Sequence, residues 1–319
     1  MTMRYVSMAS VIGLTALHPS AARPPHGLPY TVERMAPNVI STRDYERDGT
    51  FTPDGKTFYF TKRTIWPYFS AICVSHLRDG RWTEPVVAPF SGQFGDLTPF
   101  VSIDGAHLYF ASRRPVNGIP SPVYNIWVVD QTPTGWSAPH ALPDPINGRG
   151  SVIAPVTTRD GSLYFIAGDE PHVFVARRQG DGWSAPVLAA GPSEPGIYEL
   201  SAYVDPDEHF MIVAVIGRED ALNTKEAIYQ HADLYVRDRA GSGWSPMRHL
   251  AAPINSGAEE GSPFVSPDGR YLYFTSERGV FTEHGTPYDA VGLDRALRSP
   301  GNGLGDIYRV DVRAAGLTR

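Results

Sequence analysis

Short apolar and aromatic segments recur along the chain, each directly after a polar turn. They read TFYF from Thr57, HLYF from His107, SLYF from Ser162, HFMIVAV from His209 and YLYF from Tyr271. The preceding turns contain an aspartate, most clearly in TPDG at 52–55 and SPDG at 266–269. Runs of this length, rich in aromatic residues and bounded by Pro, Asp and Gly, are typical of β-strands joined by tight turns.

The turn and its strand form part of a longer repeat. The turn aspartates are separated by 50, 56, 47 and 61 residues, at Asp54, Asp104, Asp160, Asp207 and Asp268. Four units also carry a tryptophan after a glycine-containing turn, at Trp82, Trp136, Trp183 and Trp244. A third apolar segment lies between the two signatures, such as AICVS at 71–75 and DIYRV at 306–310. The period predicts propeller blades or solenoid units of about four strands each.

The N-terminal segment completes the last unit, which has no tryptophan. Tyr30 lies 24 residues before Asp54, the same interval that separates Trp136 from the next turn aspartate. YTVERMAP at 30–37 also aligns with WTEPVVAP at 82–89. A circular array closed by a strand from the other terminus removes open sheet edges, whereas a linear solenoid needs no such closure. The sequence therefore predicts an all-β, five-bladed β-propeller of four-stranded antiparallel blades, in which the N-terminal strand closes the last blade.

Composition and the N-terminus limit the classes of function. The chain is 42% hydrophobic, as in a globular protein. Its net charge of −6 argues against a nucleic-acid partner, which would need clustered positive charge. Arg4, the apolar segment 6–17 and Ser20-Ala21-Ala22 form the pattern of an export signal. That apolar segment is shorter than the roughly 20 residues of a transmembrane helix. We expect a signal peptide at 1–22, one propeller domain at 23–319 with no transmembrane segment after cleavage, and a periplasmic or secreted protein.

The repeat resembles that of a known family. SPDG followed by YLYFTSERG and then DIY is similar to the WD-repeat-like propeller repeat of the TolB-type periplasmic proteins. The resemblance implies a propeller over nearly the whole mature chain, although TolB itself carries an additional N-terminal domain for which this sequence leaves no room. Related repeats occur in partner-binding propellers, in the propellers of serine peptidases and in some lyases, so the resemblance leaves the function open. The GxSxG motif of a hydrolase nucleophile is missing from the sequence, and peptidase chemistry is not expected.

Variation in length is confined to the loop between the second and third strands of each unit. The interval from turn aspartate to tryptophan is 28, 32, 23 and 37 residues, whereas the return interval stays between 22 and 24. These loops share one face of a propeller, here called the loop-rich face, opposite the Asp-Gly turns. The longest insertions are 218–232 and 278–305, and DAVGLDRALR within the second predicts a short helix. Variable loops on a rigid scaffold usually carry binding or catalysis.

Several side chains of these loops are candidates for contact with a protein or peptide partner. Aromatic residues accompany arginines, in a composition that suits such an interface. The candidates for binding include Trp66, Arg114, His231, Arg278 and His284. In the alternative interpretation the aromatic rings only pack the loops against the blades. His284 is also a candidate for acid–base chemistry, although no HxH or HxxxH spacing predicts a metal site.

A carboxylate stands at the start of the inner strand in four of the five units. The aligned residues are Glu46, Asp96, Glu199 and Glu260, while the third unit has Val152. A ring of carboxylates at the channel mouth suits Ca²⁺, Mg²⁺ or a cationic ligand group, because ionised carboxylates in proximity need neutralising. The alternative is structural: each carboxylate bonds the backbone of an adjacent blade.

Two functions therefore stay open. The preferred interpretation is an exported binding module that recognises a protein, peptide or envelope component on its loop-rich face. The alternative is a hydrolase or lyase acting on a sugar or other small organic ligand. In that case Glu199 and Glu260 would be acid and base, or ligands of a divalent cation.

Overall fold

The computed structural model describes residues 30–65, 69–191, 194–222, 231–280 and 287–317. Within them, five antiparallel sheets surround a central channel and confirm the five-bladed propeller. One α-helix, Ala290–Leu297, and one 3₁₀ helix, Val312–Ala315, occur in the same ranges. The predictions made for residues 1–22, Trp66 and His284 fall outside the described residues.

The strands follow the predicted order, from an inner strand at the channel to an outer strand at the rim. Blade 1 contains Tyr45–Phe51, Thr57–Arg63, Ser70–Arg78, Arg81–Trp82 and Val86–Val87. Blade 2 contains Asp96–Val101, His107–Ser112, Asn125–Thr132, Gly135–Trp136 and His140–Ala141. Blade 3 contains Val152–Thr157, Leu163–Ala167, His172–Ala176, Arg178–Gln179, Gly182–Trp183 and Val187–Leu188. Blade 4 contains Tyr198–Val204, Phe210–Ile216, Asp233–Ala240, Gly243–Trp244 and Arg248–His249. Blade 5 contains Glu260–Val265, Tyr271–Ser276 and Asp306–Asp311, and its outer strand is Glu33–Arg34.

The N-terminal strand closes blade 5, as the sequence predicts. Glu33–Arg34 runs antiparallel to Asp306–Asp311, with Arg34 opposite Tyr308. The amide of Met35 extends the pairing by donating to the carbonyl of Ile307 at 2.8 Å. The last blade therefore has no unpaired edge on its third strand, and the two ends of the described chain are held together.

The repeated Asp-Gly turns are held by one pattern of hydrogen bonds. In blade 1, Asp54 accepts from the Thr52 hydroxyl at 2.6 Å and from the Lys56 amide at 3.0 Å. In blade 5, Asp268 accepts in the same way from Ser266 and from the amide that follows the turn. The hydrogen bond from Thr52 holds the pKa of Asp54 below its ordinary value. The aspartate of the repeat therefore has a structural role, because it pairs the amides of the turn.

Each inner strand carries a β-bulge near its midpoint. The pairing register shifts within the inner strand of every blade. Four residues at these bulges have positive φ without being glycine, namely Asp48, Thr98, Ala154 and Ser262. Side chains there reach across to the next blade: the Ala154 amide donates to the Thr98 hydroxyl at 3.1 Å, and the Ser262 amide donates to the Ser201 hydroxyl at 2.9 Å. The waist of the channel is therefore a polar belt that joins the blades.

Aromatic rings of blades 1 and 5 pack against one another beside the channel below this belt. Phe264 stacks on Tyr273 at 5.0 Å between ring centroids and packs against Phe51 at 5.9 Å. Gly49 stands where blades 2, 3 and 5 carry proline. A Cβ atom at Gly49 would lie 2.4 Å from the ring of Phe58 and 2.6 Å from that of Phe264. Glycine is therefore required at this position by the packing of the two rings.

Candidate functional site

Glu46 and Glu260, two of the aligned carboxylates, hold the loops that lead into their own blades. Both are fully buried at the start of inner strands. Glu46 accepts from the Thr42 amide at 2.9 Å, and Lys62 lies 3.3 Å away. Glu260 accepts from the Ser256 amide, also at 2.9 Å. Burial raises the pKa of both carboxyls, although these hydrogen bonds and cations oppose the shift.

Asp96 and Glu199 are enclosed in the same way by other partners. Asp96 is fully buried, and one Arg114 nitrogen donates to both of its oxygens at 3.0 and 3.1 Å. Burial raises the pKa of Asp96, and Arg114 opposes the shift. Glu199 accepts from the Val173 amide of blade 3 at 2.7 Å. Only Glu199 bonds the backbone of an adjacent blade, as the structural alternative expects; the other three bond their own entry loop or Arg114. Binding of Ca²⁺ or Mg²⁺ to these carboxylates stays a prediction.

The two candidate arginines take part in this carboxylate ring. Arg114 is 6% exposed and also donates to the carbonyl of Phe90 at 2.9 Å. Arg278 is partly exposed, and it donates to Glu260 at 3.1 Å and to the carbonyl of Pro253 at 3.0 Å. The Arg114 side chain is therefore buried within blade 2, whereas part of the Arg278 side chain is accessible from the loop-rich face.

Exposed apolar side chains concentrate on the loop-rich face. Of the twelve large hydrophobic side chains exposed in the described residues, nine lie in loops between second and third strands. They are Ile65, Phe69, Ile119, Leu222, Val280, Tyr288, Val291, Leu293 and Leu297. The other three, Val86, Val87 and Val187, lie on outer strands. Single apolar residues exposed without a common cause would be spread over both faces, whereas these are concentrated on one.

The blade 5 insertion contributes the helix Ala290–Leu297, which confirms the short helix predicted for DAVGLDRALR. Its N-cap is Asp289, whose carboxylate accepts from the Gly292 amide at 2.6 Å. Asn302 holds the other end by donating to the carbonyl of Leu297 at 3.1 Å and to that of Arg43 in blade 1 at 3.0 Å. No residue of the helix is buried. Its leucines, four positions apart, therefore face solvent together.

A second group of polar side chains lies at the channel mouth on the same face. We call it the mouth cluster: His231, Glu259 and Glu277, whose ligand atoms all lie within 4.8 Å of one another. The Tyr45 hydroxyl donates to the Glu277 carboxylate. Burial raises the pKa of Glu277, and the Glu259 carboxylate adds to the shift while Tyr45 opposes it. Burial likewise raises the pKa of Tyr45 to about 12.

Of the mouth cluster, the sequence singled out His231 alone. Glu259 precedes an aligned carboxylate, and Glu277 directly follows the second strand of blade 5, in the SERG segment. The signal that could have found them is a departure from the repeat, because blades 1 and 2 carry Arg63 and Arg113 at the position of Glu277.

Glu199 borders a cleft of about 430 Å³ between blades 3 and 4. His172 lies 3.8 Å from one of its oxygens, and Arg237 lies 3.9 Å from the other. Trp244 forms part of the wall. The cleft is large enough for a small organic ligand, but Glu260 does not line it. The predicted acid–base pair is therefore not brought together in this cleft.

Comparisons with known proteins assign no family to this chain. No protein-family model matches the sequence, and no curated protein matches it. TolB from Acinetobacter baumannii is similar in structure at 15% identity and a TM-score of 0.48, over 84% of this chain and 55% of TolB. A thermostable family-43 glycoside hydrolase is similar at 15% identity and a TM-score of 0.49, over 87% of this chain and 91% of its own. A gluconolactonase from Xanthomonas campestris is similar at 10% identity and a TM-score of 0.45, over 88% and 89%. At these identities and TM-scores the likeness assigns no activity to this chain, and the propeller rests on the strand pairing described above.

In the ranges that the structure describes, no helix combines the length and the apolar character needed to cross a membrane.

Proposed function

We propose that this protein is a propeller binding module that recognises a protein or peptide partner, or an envelope component, through its loop-rich face. The observation that carries the proposal is the concentration of exposed apolar side chains on that face. In water, such side chains gain free energy when a partner covers them, in proportion to the area removed from solvent.

The helix Ala290–Leu297 is the centre of this proposed surface. Val291 is 67% exposed, Leu293 41% and Leu297 52%, on a helix that is anchored at its end by Asn302. An anchored helix loses little conformational entropy on binding, so its apolar side chains contribute more of their burial energy to affinity.

Arginines beside aromatic rings supply polar contacts around this apolar surface. The guanidinium of Arg63 lies 4.1 Å from the ring centroid of Tyr45, and that of Arg113 lies 4.4 Å from Tyr124. Arginine and aromatic residues are enriched where partners bind tightly. Their position at the channel mouth supports a partner that covers the mouth and the long loops together.

The alternative of a hydrolase or lyase has less support from the site. Glu199 and Glu260 are each occupied by hydrogen bonds that join loops or blades. A carboxylate that serves as a general acid or base needs access to the substrate proton, within hydrogen-bonding distance.

The proposal also includes export, because residues 1–22 have the pattern of a signal peptide. We expect the mature protein in the periplasm or the medium, with Arg23 as its first residue. N-terminal sequencing of protein recovered from these fractions tests this, and an unprocessed cytoplasmic chain contradicts it.

A triple substitution on the helix tests the binding surface. The variant carries Val291→Gln, Leu293→Gln and Leu297→Gln, because glutamine keeps a high helix propensity. The matched control carries Val86→Gln and Val87→Gln, which are equally exposed but lie on an outer strand. The tagged proteins are cross-linked in cells of the producing organism, and captured partners are identified by mass spectrometry.

The proposal expects the control to retain the partners of the unaltered protein and the helix variant to lose them. Both variants should keep the melting temperature of the unaltered protein, since none of these side chains is buried. Equal capture by the helix variant and the control would contradict the proposed surface.

A further inference from the structure

We propose that His231, Glu259 and Glu277 of the mouth cluster bind a divalent transition-metal ion such as Zn²⁺. The inference goes beyond the proposed partner binding and does not depend on it.

The distances within the cluster are close to those of a metal site. One imidazole nitrogen and two carboxylate oxygens lie within 4.8 Å of one another. Zn²⁺ binds nitrogen and oxygen ligands at about 2.0–2.2 Å, so tetrahedral ligand atoms are roughly 3.4 Å apart. Each pair therefore needs to approach by no more than about 1.4 Å, within the reach of rotamer changes in partly exposed side chains.

The backbone already fixes the positions from which the three side chains project. The Glu277 amide donates to the Glu259 carbonyl at 3.0 Å. The Glu260 amide donates to the Ala232 carbonyl at 2.8 Å, which places His231 beside Glu259. When an ion binds, only the rotamers of the three side chains become fixed, because the backbone is already held. A site held in this way loses less entropy on binding than one assembled from free loops.

One arginine beside the cluster is paired with an aspartate. Arg47 approaches the cluster, but it donates to Asp48 at 3.0 Å and to the Ser262 hydroxyl at 3.2 Å. Arg47 therefore hydrogen-bonds to Asp48 and Ser262 rather than to the cluster, although its charge still acts on Glu259 and Glu277. A divalent cation removes the repulsion between Glu259 and Glu277 more completely than a single proton does.

Tyr45 lies where it can orient a metal ligand, Glu277, without contacting the ion itself. Its hydroxyl donates to one oxygen of Glu277, and its ring lies under the guanidinium of Arg63. Partners that orient a ligating carboxylate in this way typically raise metal affinity by 10- to 100-fold.

The donor set selects the class of metal. Imidazole is a ligand for Zn²⁺ and the neighbouring transition metals, whereas Ca²⁺ and Mg²⁺ prefer sites built from oxygen alone. Three protein ligands also leave at least one coordination position for water or for a group of a bound partner. The ion would therefore lie at the channel mouth, on the loop-rich face, with an open position.

A second group of similar composition, Asp205, Asp207 and His209, serves as the control because its members are already paired. Asp205 accepts from the amides of Asp207 and His209 and from the His209 ring at 2.9 Å. Arg159 donates to both oxygens of Asp207 at 2.7 and 3.1 Å. Asp205 is therefore occupied by hydrogen bonds within its own turn, and Asp207 is paired with Arg159. We expect no ion to bind to this group.

Calorimetric titration with ZnCl₂ tests the proposal, on the full chain after removal of bound metal with a chelator. We expect about one Zn²⁺ per chain. His231→Ala and Glu277→Gln should each remove measurable binding, and Tyr45→Phe should weaken it by about tenfold. His209→Ala should leave affinity and stoichiometry unchanged.

Three results overturn the proposal: no Zn²⁺ binding to the unaltered protein, unchanged binding in His231→Ala and Glu277→Gln, or equal loss in His209→Ala. The melting temperature in chelator checks that each variant folds. Glu259→Gln replaces any variant that does not, because its side chain is also partly exposed. Partner capture by the metal-free protein is scored separately, so failure of one proposal is distinguishable from failure of the other.

Discussion

Replacing Asp306 with asparagine should remove part of the pH dependence of stability. Asp306 begins the third strand of blade 5 and is 1% exposed. One carboxylate oxygen accepts from the Gly301 amide at 2.6 Å and lies 3.3 Å from the Arg34 guanidinium. The other oxygen is buried without a hydrogen-bond partner among the described residues. Burial raises the pKa of Asp306 to about 7, although Arg34 opposes the shift.

The sign of the effect follows from proton binding. In the unfolded chain the carboxyl titrates near 3.8, whereas in the folded chain it titrates at about 7. Between these values the folded state binds more protons, so the free energy of unfolding falls as the pH rises. One pKa unit corresponds to about 1.4 kcal/mol, which makes the difference of roughly three units worth at most about 4 kcal/mol. Since Arg34 is partly exposed and relaxes with the carboxylate, we expect about 2–4 kcal/mol.

The assay is urea unfolding of the unaltered protein and Asp306→Asn at pH 5 and pH 8. Asparagine keeps the shape of the side chain and an acceptor for the Gly301 amide, and it does not titrate. Any other effect of the substitution on the free energy of unfolding should therefore be the same at both pH values. Relative to the unaltered protein, the variant should gain about 1–2.5 kcal/mol between pH 5 and pH 8, because only the part of the shift from pH 5 to about 7 falls within this window. A difference between the two proteins that is the same at both pH values, within about 0.5 kcal/mol, would refute the assignment of a raised pKa to Asp306.

Three further substitutions or probes test the packing. Gly49→Ala should destabilise the protein by about 1–3 kcal/mol in urea unfolding, because the new methyl group meets the ring of Phe264; an unchanged midpoint contradicts this. Cys73 should not react with a thiol reagent at pH 8 until the protein unfolds, since burial raises the pKa of its thiol to about 11; rapid reaction of the folded protein contradicts it. Glu260→Ala should cost about 2–4 kcal/mol, more than Glu260→Gln, because it leaves Arg278 and buried hydroxyls unpaired; equal effects of the two substitutions contradict that reason.

The propeller could be predicted because its signals are local and repeated. The Asp-Gly turn is specified by a few neighbouring residues, as the hydrogen bonds of Asp54 show. Four Asp-Gly turns and the Asp207-Glu208 turn, in register, give both the period and the number of blades. Even the closing strand was visible, because Tyr30 stands at the same interval from its turn as the tryptophans do. These features depend on chain spacing alone.

The direction of the aligned carboxylates could not be predicted in the same way. In a regular strand alternate side chains share one face, so Glu46 and Asp48 would both point towards the channel. The bulge after Arg47 breaks this alternation. Asp48 lines the channel waist, whereas Glu46 turns back to its entry loop. The positive φ of Asp48 has no sequence signal, because it is not a glycine.

The mouth cluster was missed for the opposite reason: it lies where the blades differ. Alignment of the repeat draws attention to shared residues, and in this fold those prove to hold turns and loops. Glu277 occupies a position at which blades 1 and 2 carry Arg63 and Arg113. At the loop-rich end of a second strand the side chain leaves the packed interior, so packing does not restrict the residue type. The reversal of charge at this position is therefore the sequence signal by which the cluster could have been found.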